Sequence, residues 1–145
     1  MVDLNRREEL QRAIELLFFA YREFTDRPDR ILERRGLGRV HHRILYFVGR
    51  RPEVSVGGLL EALSVSKQAL SAPLRQLAEM GLVALSTDAQ DRRVKRLTLT
   101  AAGRSLEVEL TGTQMRLLSA AFEKAGPADE AGWTRVMEIL AGRDG

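Results

Sequence analysis

Four residues of this 145-residue chain have types and spacing that suggest chemistry: Gln68, Ser71, Ala72 and Arg75. An amide, a small hydroxyl, a methyl and a guanidinium are groups that read base edges in a DNA major groove. Spacings of three and four gather them on one face of a helix, with Glu79 at its far end. Leu70, Leu74 and Leu77 fall on the other face as an apolar stripe. Ser66 is a suitable N-cap for this helix, and Gly81 a suitable residue to end it. Gln68 is placed for a bidentate contact to adenine and Arg75 for guanine or a phosphate. Ser66, Lys67 and Ser71 would hold backbone phosphates near the helix N-terminus, where the helix dipole favours anions. Pro73 conflicts with an unbroken helix, because it removes the hydrogen bond to the Ala69 carbonyl at a cost of about 3 kcal/mol. Either the helix bends at Pro73 or it starts near Ser71; a bend is expected, since the freed carbonyl of an exposed helix reaches water.

No catalytic signature of comparable weight exists. The chain has no cysteine and two histidines, His41 and His42. Adjacent helical residues point about 100° apart, so this pair does not close on one metal. No glycine-rich phosphate loop is present. The chain is expected to be no enzyme, with no catalytic residues, metal site or cofactor. Without cysteine it has no disulfide framework and no thiol-based redox sensor.

The elements that would position the reading helix surround it. Leu59, Leu60 and Leu63 suggest a short preceding helix, with a turn at residues 63–65. Val54, Ser55 and Val56 suggest a short strand. After Gly81, alternating runs at residues 82–86 and 95–100 suggest a β-hairpin with a charged tip, Asp91, Arg92 and Arg93. Leu97 and Leu99 would face inward, Arg96 and Thr98 outward. Thr100 can cap the helix that follows. A helix-turn-helix followed by a basic-tipped hairpin is the outline of a winged helix-turn-helix.

At SVSKQALSAPLRQLAEMGLV and DRRVKRLTLTAAG the chain resembles the MarR-type regulators, and more loosely so over the rest of its length. The most specific feature is the wing-tip Asp-x-Arg of Asp91 and Arg93, set before an LTLT strand and a helix start. The resemblance implies that Arg93 enters a minor groove, while Asp91 touches no DNA and holds the wing-tip arginine or backbone. Arg92 and Lys95 would then contact phosphates. It also implies a homodimer on a palindromic operator, repression as the default mode, and release by a small aromatic or phenolic ligand. Tyr21, His42 and Tyr46 are the candidates for that ligand site.

Composition agrees. One domain is expected at this length, mainly α with a small antiparallel β wing. Charged residues make up 30% and aromatic ones 6%. The net charge is +3, but residues 63–100 hold six basic against three acidic side chains, and residues 39–51 add four arginines without an acid. A local basic patch fits double-stranded DNA as partner. Neither a signal peptide nor a membrane span is legible, the longest apolar run being Leu16 to Tyr21, and the expected location is the cytoplasm.

The remaining segments frame the centre. Residues 5–25 read as a helix through Leu10, Ile14, Leu17, Tyr21 and Phe24, widened by Leu16, Phe18, Phe19 and Ala20. A helix apolar nearly all round is buried on two sides, as a subunit-interface helix or as a central core helix. The resemblance favours the interface. Pro28 is expected to end it, followed by a charged connector over residues 27–38 in which RILERR is a solvated short helix. Residues 39–50 form a helix burying Val40, Ile44, Phe47 and Val48. Residues 101–124 and 129–141 supply two more amphipathic helices, whose apolar faces would meet a second copy or form a layer over the wing region. The expectation is a single domain over residues 1–145. Residues 39–100 are its winged helix-turn-helix DNA-binding region; residues 5–35 and 101–145 are N- and C-terminal dimerisation helices. The alternative is a winged-helix protein–protein module that does not read DNA sequence.

Overall fold

The computed structural model describes residues 3–145, so the first two residues of the expected domain lie outside it. In chain order the elements are α1 (Leu4–Glu33), α2 (Arg39–Arg50), β1 (Val54–Ser55), α3 (Val56–Leu63), α4 (Lys67–Glu79), β2 (Val83–Thr87), β3 (Lys95–Leu99), α5 (Ala101–Ala125) and α6 (Pro127–Leu140). The protein is mainly α with one three-stranded antiparallel sheet in the order β1-β3-β2.

The first helix departs from the expected boundary. It does not stop at Pro28 but runs through it to Glu33. Proline removes the hydrogen bond to the carbonyl four residues back, here that of Phe24. The Gln114 side-chain amide of α5 donates to that carbonyl at 3.3 Å. The cost of the proline is thereby offset from 90 residues away. RILERR is likewise not a separate short helix: its first four residues finish α1 and bury Leu32 fully, while Arg30, Glu33, Arg34 and Arg35 stay exposed.

One core holds the centre together. Leu32, Leu37, Ile44, Leu45, Val48, Leu59, Leu70, Leu77, Leu97 and Leu110 are buried there, drawn from α1, the turn after it, α2, α3, α4, β3 and α5. The wing register pairs Val83 with Leu99 and Leu85 with Leu97, and places Leu97 at the bottom of the core with no exposure.

The arms behave differently. The first five turns of α1 touch little: Ile14 is 54% exposed and Phe18 70%. In the single chain α1 is therefore not a central core helix, and only its second half is buried, at Thr25, Pro28 and Leu32. Helix α6 buries no residue. It rests on α5, where the Trp133 and Phe122 rings meet edge to face at 5.1 Å, and it forms no layer over the wing region. Among the described residues, no helix is long and apolar enough to cross a membrane.

Candidate nucleic-acid interface

Helix α4 begins at Lys67, not near Ser71. Ser66 Oγ caps it by accepting from the Ala69 N–H at 3.1 Å. The helix is continuous through Pro73. Its C-terminus closes in a Schellman turn: Gly81 has φ +73°, its N–H donates to the Ala78 carbonyl, and the Leu82 N–H donates to that of Leu77 at 2.9 Å. Leu70, Leu74 and Leu77 point into the core, which leaves Gln68, Ser71, Ala72, Arg75 and Glu79 exposed on the outer face. Ser66 and Lys67 are exposed at its N-terminus. A row of amide, hydroxyl, methyl and guanidinium thus stands clear of the body on one rigid helix.

The hairpin loop is built by two carboxylates in series. Asp88 Oδ2 accepts from the N–H groups of Gln90 and Asp91, at 3.1 and 2.9 Å, and its Oδ1 accepts from Arg96 Nε at 3.0 Å. Asp91 Oδ1 accepts from the Arg93 N–H at 3.0 Å and from Arg93 Nε at 3.1 Å. The Arg96 hydrogen bond holds the Asp88 carboxyl below the usual aspartate range, and the Arg93 hydrogen bond does the same for Asp91. Both therefore stay ionised at neutral pH. The Arg93 side chain is 90% exposed, so this pair adds little to stability; it biases the direction of the guanidinium. Arg92 is exposed beside it, and Lys95 Nζ donates to Thr87 Oγ1 at 3.0 Å. Asp88 is missing from the site expected from sequence. Its signal is an Asp preceding two loop N–H groups, as in an Asx turn, but its bond to Arg96 depends on the strand register that sets Ser86 opposite Arg96.

Behind α2 lies a cavity of about 450 Å³ between α1, α2 and α5, and Tyr21, His42 and Tyr46 all line it. The Tyr21 hydroxyl accepts from Arg43 Nη2 at 3.2 Å, and Arg39 is held by a two-point bond to Asp29. His42 Nε2 lies 3.1 Å from Thr111 Oγ1 of α5. His41 faces elsewhere, toward α4, with Nε2 2.9 Å from Gln76 Oε1. Each histidine is thus engaged by a different element.

Burial pushes the His42 imidazole below its ordinary value of 6.5, with Asp29 opposing and Arg43 reinforcing the shift. Between the depressed folded value and 6.5 the unfolded chain binds more protons, so stability is present above that range and is lost as pH falls through it. The urea midpoint is expected to drop between about pH 7.5 and about pH 5.5, and His42→Gln to flatten that drop. An equal drop in both proteins would assign the acid sensitivity elsewhere.

A family model described as the MarR family matches residues 35–94. The HTH-type transcriptional regulator PetP of Rhodobacter capsulatus is 43% identical over 133 residues, covering 92% of this chain and 80% of that one. Among solved structures, a MarR family transcription regulator superposes with a TM-score of 0.77 at 22% identity, over 96% of this chain and 91% of that one. A MepR mutant of S. aureus bound to an oligodeoxyribonucleotide gives 0.61 at 22% identity, over 88% and 97%. NadR in complex with 4-hydroxyphenylacetate gives 0.72 at 22% identity, over 86% and 89%.

Proposed function

Because this chain belongs to the MarR family of winged helix-turn-helix transcription regulators, we propose that it is a homodimeric repressor that reads a palindromic operator and is released by a small ligand. The observation that carries the reading is the exposed face of α4, where Gln68, Ser71, Ala72 and Arg75 stand free on a helix whose leucines are locked in the core. Two such helices, one per copy, enter successive major grooves about 10 base pairs apart. Residues 39–100 form the DNA-binding region in this reading, and the helices within 5–35 and 101–145 join the two copies. Gln68 reads adenine, Arg75 guanine or a phosphate, and Ser66, Lys67 and Ser71 grip the backbone. At the wing, Arg93 reaches the minor groove, Arg92 and Lys95 take phosphates, and Asp91 aims Arg93.

The cavity holding Tyr21, His42 and Tyr46 is the proposed ligand site. Its aromatic walls and the Arg39 and Arg43 guanidinium groups suit a small aromatic acid. NadR carries such a molecule, 4-hydroxyphenylacetate. A ligand of this kind releases DNA only if it binds the free dimer more tightly than the DNA-bound one.

The test is fluorescence anisotropy on the protein's own upstream DNA, with a scrambled duplex as competitor and a salt titration. Affinity for the upstream duplex is expected to fall steeply with salt. Arg93→Ala should weaken it about 10- to 100-fold, equivalent to about 1–3 kcal/mol, and Lys95→Ala should weaken both duplexes alike while lowering the salt slope by about one. Absence of binding at low salt would overturn the DNA reading in favour of a protein–protein module.

A further inference from the structure

His41 and Gln76 belong to no DNA-facing surface, yet they close a hydrogen-bonded circuit between the reading helix and the turn that joins α1 to α2. His41 Nδ1 accepts from the Gly38 N–H at 2.9 Å. That bond leaves the ring proton on Nε2, which donates to Gln76 Oε1 at 2.9 Å. The Gln76 amide then donates from Nε2 to the Gly36 carbonyl at 3.3 Å. Every polar atom in the circuit is used in the direction its chemistry requires. His41 is 8% exposed, so its own two bonds are partly shielded from water, whereas the bond from Gln76 to Gly36 lies at the surface.

We propose that His41 and Gln76 are positioning residues that fix the angle of the reading helix against the α1 arm, and thereby the spacing between operator half-sites that the dimer accepts. This rests on the DNA reading above. Leucines 70, 74 and 77 hold α4 to the core by packing, which is non-directional and tolerates small rotations and slides. A hydrogen bond is directional, and weakens steeply when its angle is lost. Gln76 sits one residue after Arg75, so its bonds to His41 and Gly36 set the rotation of the base-reading face directly. Gly36 and Gly38 lie just beyond the end of α1, the helix whose free half carries the exposed apolar stripe. A rotation of α4 about this point moves the outer tips of the two reading helices relative to one another.

His41→Asn separates the two roles of the ring. Asparagine Oδ1 lies as many bonds from Cβ as histidine Nδ1, so it retains the bond to Gly38, while its amide is too short to reach Gln76. Gln76→Glu breaks the circuit at its other end, keeping an acceptor for His41 and losing the donor to Gly36. Two measurements on the full chain decide the matter. In the first, hydrogen exchange of the α4 amides is compared at matched global stability. About tenfold faster exchange in α4 is expected for both variants, with the urea midpoint nearly unchanged. In the second, wild type and His41→Asn each select duplexes from a random pool. Wild type is expected to enrich one half-site spacing, and His41→Asn the same half-site bases at several spacings. Unchanged exchange in α4, or a single unchanged spacing in the variant, overturns the inference while leaving DNA reading intact. A wild type that enriches no duplex overturns the DNA reading and the spacing consequence together.

Discussion

A chain carrying both Ile14→Asp and Phe18→Asp is expected to be a folded monomer whose operator affinity has dropped at least about a thousandfold. The two residues lie one helical turn apart on α1, at 54% and 70% exposure, and belong to no part of the core. Changing them should cost the isolated fold little, since exposed positions away from packing generally shift stability by about 0.5 kcal/mol or less. The same stripe holds Leu10, Leu17 and Phe19, and α6 adds Trp133, Val136 and Ile139, all exposed in the single chain. Apolar surface on this scale marks an interaction site. Burying it against a second copy contributes about 25 cal/mol per Å², whereas two carboxylates per chain set into that contact would be desolvated without partners. A monomer presents one reading helix and one wing, and is left with the non-specific part of binding. Sedimentation and circular dichroism on the same sample check the state and the fold, and anisotropy checks the affinity. A variant that stays dimeric would move the interface away from the α1 arm.

Gly103→Ala is expected to destabilise the protein by about 3 kcal/mol or more, although alanine is the better helix former by about 1 kcal/mol. Gly103 lies in the first turn of α5, and a Cβ there would overlap the Leu82 carbonyl oxygen. Nothing flexible separates the two, because the obstacle is backbone. That carbonyl already accepts from the Thr100 N–H at 3.1 Å, and Thr100 Oγ1 accepts from the Gly103 N–H at 3.0 Å while donating to the Gly81 carbonyl. The end of α4, the start of the wing and the start of α5 therefore meet at one point, and a methyl group there forces all three apart. Gly112→Ala, on the same helix, is the control. Its new Cβ meets only the tip of the flexible Arg116 side chain, so a neutral or slightly stabilising effect is expected. Urea titration at fixed protein concentration compares them; equal midpoints for the two variants would remove the close approach at Gly103 as a structural constraint.

These two expectations draw on different kinds of information. The α1 stripe was legible from apolar spacing alone, though spacing could not tell a core helix from an interface helix. The Gly103 contact was not legible at all: a glycine inside a helical pattern says nothing of what lies opposite. Pro28 misled for the same reason. Local rules place a helix end before it, and the donor that relieves it, Gln114, comes from another element. In the sequence Asp88 is legible only as a charge and not as the organiser of the wing loop, because Arg96 reaches it only in the folded hairpin.

The local features of α4 were set by its own residues. Ser66 as cap, Gly81 as terminator, the leucine stripe and the polar outer face act within a turn or two, where covalent geometry and intrinsic preference dominate. The same holds for the bond between Asp91 and Arg93, two residues apart. Tertiary structure alone decided what required distant segments to meet. It gathered Tyr21, His42 and Tyr46 around one cavity, turned His41 away from His42 to α4, carried α1 through Pro28, and seated Gly103 on Leu82. Each of these depends on partners far apart in the chain, whose approach is paid for by burial of the shared core rather than by any preference of the residues themselves.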